Sequence, residues 1–139
     1  MRSRKYYLLI TIVLFLSARI DGQEIFGPPM NIPLFLSANF AELRSDHFHS
    51  GIDIKTQGVT GKSVHAADDG FVYLVLVSPG GFGKAIYLRH PSGYSTVYAH
   101  LDSFTPEIDA YVKNNQYGSR SYAVTLYPPA GRFTFKKGD

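Results

Sequence analysis

The hydrophobic pattern of this chain changes character several times, and each change predicts an element. Phe71-Val72-Tyr73-Leu74-Val75-Leu76-Val77 is β-branched and aromatic, with no polar face at helical spacing, and predicts a long, mostly buried strand. Lys84 to His90 alternates, with Ala85, Tyr87 and Arg89 on one face and Ile86, Leu88 and His90 on the other. Pro91-Ser92-Gly93 then closes a hairpin whose returning strand is Tyr94 to Leu101. Thr105-Pro106-Glu107 is a helix start, with Thr105 as N-cap and Pro106 at the first position. Ile108, Tyr111 and Val112 form its apolar stripe, and Asn114 to Gly118 is expected to end it. Tyr122 to Tyr127 and Arg132 to Phe135 predict two more strands, and Ile52 to Thr56 a short one. Residues 23–43, rich in Pro, read as an extended lead-in with at most a brief strand near Pro33 to Ser37. The pattern predicts a mainly β, antiparallel sheet domain with one short helix.

The N-terminus does not belong to that domain. Arg2, Arg4 and Lys5 precede an apolar run from Leu8 to Ala18, shorter than the roughly 20 residues that span a membrane. Residues 1–22 therefore read as a secretory signal peptide cut between Ala18 and Glu24, with an uncleaved anchor as the alternative. No membrane span is expected after its removal. The leader also explains the basic pI of the whole chain. Removing it takes four basic residues and one acidic from totals of 14 and 11, leaving ten of each. A neutral domain has no field to attract nucleic acid. The absence of cysteine rules out disulfides and a thiolate metal site.

What remains for chemistry is a small set of side chains. His49-Ser50-Gly51-Ile52-Asp53 sets an imidazole and a carboxylate four residues apart, both acceptable to zinc. In a straight strand they would be roughly 13 Å apart. Chelation needs a bend, which Gly51 is expected to permit. Read alone, these residues describe a loop His and a turn-capping Asp more readily than a metal site. His47 shares a face with His49 in an extended chain. His65 reads as structural, and His90, at a hairpin entry, as structural or exposed. His100 ends a strand expected to lie inside the sheet, where an imidazole needs a partner or a role in a metal site. Asp68 and Asp69 are read as turn residues pointing apart. No Gly-x-Ser-x-Gly elbow and no phosphate-binding glycine loop occurs.

In order along the chain, four pieces resemble the lysostaphin-like (LytM-like) zinc metallopeptidases, which cleave peptide bonds in peptidoglycan. They are His49 to Asp53, Gly61 to Gly70, Gly93 to Leu101, and Lys137-Gly138-Asp139. The resemblance implies the duplicated hybrid motif β fold of that family over residues 44–139. It implies that His49 and Asp53 are the first two ligands of a Zn2+ cofactor. It also implies that His100 is a catalytic histidine facing the attacking water or the developing oxyanion. The substrate implied is the peptide cross-bridge of bacterial peptidoglycan, cut by a metal-activated water in the periplasm or cell envelope. The family's third ligand and other catalytic histidine come from a later His-x-His motif. Its place falls after Asp139, so the expectation is a domain incomplete at its C-terminus and inactive by itself. The alternative is a non-catalytic cell-wall-binding or hydrolase-activating module of the same fold. Val64 to Gly70 is also similar to the flattened β barrels of sugar-phosphotransfer carrier domains, a reading that the leader opposes.

Overall fold

A computed structural model describes residues 26–139. The predicted leader over residues 1–22 and its cleavage window lie outside the described residues. Among the described residues the fold is mainly β and antiparallel, as the pattern predicts, with a five-stranded sheet, a separate two-stranded ribbon and one helix.

The ribbon pairs β1 (Leu36–Ala38) with β2 (Asp53–Ile54). In the larger sheet β3 (Gly70–Val77) is the axis. β4 (Lys84–Arg89) covers one of its edges along its whole length. The other edge is shared between β6 (Val124–Leu126), which pairs Val75 to Val77, and β7 (Thr134–Phe135), which pairs Gly70 and Phe71. β5 (Ser95–Tyr98) returns along β4 as the predicted hairpin, in the register Leu88↔Thr96 and Ile86↔Tyr98. The register of β3 against β4 shifts between Val72 and Leu74. That bulge turns Val72 and Val75, three residues apart, onto the same buried side, where strict alternation would oppose them.

The helix α1 (Pro106–Ser119) runs past the predicted stop at Asn114 to Gly118. Side chains hold the extra turn. Asn115 Nδ2 donates to the Tyr111 carbonyl, and the Ser119 hydroxyl donates to that of Asn115. Arg120, at φ 52°, then closes the helix in the left-handed region. Thr105 occupies the N-cap position, but its side chain makes no capping bond. Ile108 and Val112 pack with Val72, Val75, Val77, Leu88 and Val124 to form the core. Each such aliphatic side chain contributes about 1.5–3 kcal/mol by leaving water.

Three of the four motif pieces are knotted together by this arrangement. His90 is 3% exposed. Its Nδ1–H donates to the Asp69 carbonyl at 2.8 Å, and its Nε2 lies 2.8 Å from the Thr96 hydroxyl. Thr96 is hydrogen-bonded in turn to the Tyr98 hydroxyl, which accepts the Ala67 N–H. The Ala66 N–H donates to the Asp139 carbonyl, and the Gly138 N–H returns to that of Ala66. The lead-in crosses the same strip, with Gly27 N–H on Ala67 and His65 N–H on Pro29. His65 is structural as expected, its Nδ1–H donating to the Gly138 carbonyl. Asp69 does more than turn the chain, because its carboxylate accepts from Lys136 Nζ at 2.8 Å and the Lys137 N–H at 2.9 Å.

Two predictions follow from that knot. A Cβ at Gly70 would lie 2.7 Å from the Arg89 carbonyl oxygen and 2.9 Å from His90 Nδ1. Gly70→Ala should therefore destabilise the domain by about 1–3 kcal/mol, read from denaturant midpoints; an unchanged midpoint would contradict the close approach. The Lys136 ammonium, and after it the Lys137 N–H, hold the Asp69 carboxyl below its ordinary 3.8. The contribution of Asp69 is then complete above that value and lost as pH falls through the lowered one. The stability gap between wild type and Asp69→Asn should close on acidification below the ordinary value; a gap that persists there would contradict the clasp.

Candidate metal centre

The ribbon carries the first motif piece. Its loop folds back on itself through the antiparallel bridge Leu43↔Phe48 and the Arg44 N–H bond to the His47 carbonyl. His49 is pinned on both sides, its N–H donating to Glu42 and its carbonyl accepting from Ala41. This double clamp makes the bend that brings residues 49 and 53 together. Gly51 was expected to permit it, but Gly51 does not adopt a positive φ, and a Cβ there would meet open space. The bend is imposed by backbone bonds to residues 41 and 42, which the five-residue motif does not contain.

The result is a close pair. His49 Nε2 lies 3.3 Å from Asp53 Oδ1. His49 Nδ1 lies 3.0 Å from the Asn39 carbonyl oxygen. A carbonyl can only accept, so Nδ1 carries a proton, and Nε2 is the ring nitrogen that faces Asp53. Nε2 and Oδ1 face each other across 3.3 Å, a gap that either a proton on Nε2 or a cation held by both atoms would bridge. In a tetrahedral zinc site with bonds of about 2.0–2.2 Å, neighbouring donor atoms are about 3.3–3.5 Å apart. The pair fits that edge, and its donor types are those zinc takes. The His49 side chain is 18% exposed and that of Asp53 41%, so the pair is open to water. Among the described residues no cluster of three or more His, Cys, Asp or Glu side chains converges.

The other candidates fall elsewhere. His47 pairs with Asp46 at 2.6 Å, and that bond holds the Asp46 carboxyl below its ordinary value. His100 is not inside the sheet, because β5 is an edge strand among the described residues. It sits past the end of β5 at φ 55°, where the chain turns out of the pleat. Its N–H is tied to the Phe82 carbonyl and that of Leu101 to Lys84, which fixes the turn against the start of β4. Its imidazole is exposed and makes no hydrogen bond to the His49–Asp53 pair, which belongs to the other sheet. A cavity of about 560 Å³ borders Asp69, Arg89, His90 and Lys136 and includes none of the three predicted site residues. Sequence reasoning missed two groups that shape the pair, the Asn39 carbonyl and Arg44. The first is backbone and leaves no signal in residue identity; the second opens the stretch that ends at Asp53.

The model of a protein family described as peptidase family M23 matches residues 47–120, just over half of the chain, including His49, Asp53 and His100. Three curated relatives named DD-carboxypeptidase/endopeptidase Mpg, from two strains of Neisseria meningitidis serogroup B and from Neisseria gonorrhoeae, are 38% identical over 63 residues. That stretch is 45% of this chain and 14% of each relative's length. No solved structure matches.

Proposed function

The chain belongs to peptidase family M23, and from that premise we propose that it is part of a zinc metalloendopeptidase that hydrolyses the peptide cross-bridges of bacterial peptidoglycan. The observation that carries this reading is the 3.3 Å approach of His49 Nε2 to Asp53 Oδ1, with the His49 tautomer set by Asn39. These two atoms would hold the metal. Zinc bound there would polarise the scissile carbonyl and acidify the attacking water. The Asn39 carbonyl accepts from His49 Nδ1–H, which leaves Nε2 as the ring nitrogen aimed at the site, and the ribbon keeps Asp53 beside it. His100, exposed on a turn fixed by two backbone bonds, would shuttle a proton or stabilise the developing oxyanion.

The proposed peptidase domain spans residues 44–139, although β1 and Asn39 from the lead-in are physically part of the site. Export to the periplasm or cell envelope is proposed from the basic start and the apolar run of residues 8–18, and it suits a cell-wall substrate. No helix among the described residues is long and apolar enough to cross a membrane. The second reading is the non-catalytic module that binds the cell wall or activates another hydrolase. It is favoured by one observation: the described residues bring two donors together, where a catalytic zinc takes three protein ligands.

Purified sacculi separate the two. The protein as its gene encodes it should release peptides from them, and a chelator should stop the release until zinc is restored. His49→Ala should lose both zinc and hydrolysis. His100→Ala should keep its zinc but slow hydrolysis by about 10²–10⁴-fold. Hydrolysis that resists chelation would overturn the zinc mechanism, and binding of sacculi without cleavage would move the function to the second reading.

A further inference from the structure

Asp53 has two carboxylate oxygens, and they have different neighbours. Oδ1 faces His49 Nε2 at 3.3 Å. Oδ2 accepts a hydrogen bond from Arg44 Nη2 at 3.2 Å. The same guanidinium nitrogen lies 3.8 Å from Glu42 Oε1. Arg44 is therefore held between two carboxylates, and its backbone is fixed by its N–H bond to the His47 carbonyl. The backbone carbonyl of Glu42 in turn accepts the His49 N–H. One folded loop thus presents His49 to the site and clamps the far oxygen of Asp53.

We propose that Arg44 is a positioning residue of the metal centre, restricting Asp53 to ligation through Oδ1 alone. The proposal rests on the reading of His49 and Asp53 as metal ligands and adds to it a third, non-ligating residue. Arg44 has two opposed effects. Its charge repels a cation, and its hydrogen bond keeps the carboxylate from rotating away or chelating through both oxygens. The Arg44 and Asp53 side chains are 37% and 41% exposed, so water attenuates the charge effect. The orienting bond is a matter of geometry and is not attenuated in the same way. Orientation is the larger effect, and removing Arg44 should weaken metal binding rather than strengthen it.

The test is calorimetric titration of zinc into the full chain and into Arg44→Lys, Arg44→Gln, Arg44→Ala and His49→Ala. Arg44→Ala should bind zinc about 10–100-fold more weakly, the usual consequence of losing a partner of a metal ligand. Lys and Gln, which each keep a donor, should fall between Ala and wild type. Infrared carboxylate bands of the zinc-loaded protein should shift in Arg44→Ala towards two-oxygen ligation, a change that mere loosening of the loop would not produce. Circular dichroism of the metal-free variants should match wild type; if Arg44→Ala fails to fold, the Gln variant carries the comparison. Equal or tighter zinc binding in Arg44→Ala and Arg44→Gln overturns the role of Arg44 while leaving the metal centre standing. Undiminished zinc binding in His49→Ala overturns the metal centre itself, and the Arg44 proposal with it.

Discussion

The larger sheet depends on one buried imidazole. His90 is shut away from water between β3 and the β4–β5 hairpin, and both of its ring nitrogens are engaged. An unpaired polar group at that depth would cost about 1–3 kcal/mol, so the ring enforces the partners it has found. Those partners are the Asp69 carbonyl and the Thr96 hydroxyl, and Thr96 passes the constraint to Tyr98 and Ala67. Gly70 is required for the same reason, because its missing side chain is the space in which the Arg89 carbonyl and His90 sit. The turn before β3, the hairpin after it and the C-terminal residues bonded to Ala66 thus form one unit.

The His49–Asp53 pair is built differently. It stands on a two-stranded ribbon with little core of its own, and Phe40, Leu43, Phe48 and Ile52 around it are exposed. Its geometry comes from hydrogen bonds rather than burial: the Asn39 carbonyl on one ring nitrogen, backbone bonds on both sides of His49, and Arg44 on Asp53. A site assembled this way is set by orientation more than by desolvation. It stays open to solvent, and it relies on bonds that single side-chain substitutions can remove.

Much of this was legible in the residues. The β3 run, the β4–β5 hairpin and the helix start are local signals, since alternation, Pro-Ser-Gly and Thr-Pro-Glu act within a few positions. The ends of elements were less legible. The helix outran Gly118 because Asn115 and Ser119 bond back to their own backbone, and His100 fell outside the sheet because edge position is a matter of strand order. The pairing of His49 with Asp53 was readable from spacing and family likeness, but its cause was not. Gly51 looked like the hinge, whereas the bend is made by carbonyls and amides of residues 39–42, whose side chains say nothing about it. The Asp69 clasp joins residues 67 and 68 positions apart, a separation no local pattern reports.

The proposed metal centre requires that His49 Nε2 and Asp53 Oδ1 share one metal ion. Anomalous scattering at the zinc edge, from crystals of the protein grown with zinc, tests it most directly. The account predicts a single strong peak about 2 Å from both atoms, with the Arg44 guanidinium still on Asp53 Oδ2. A peak at His47 and Asp46 or at His65 instead, with the 49–53 pair left bridged by a proton, would contradict it.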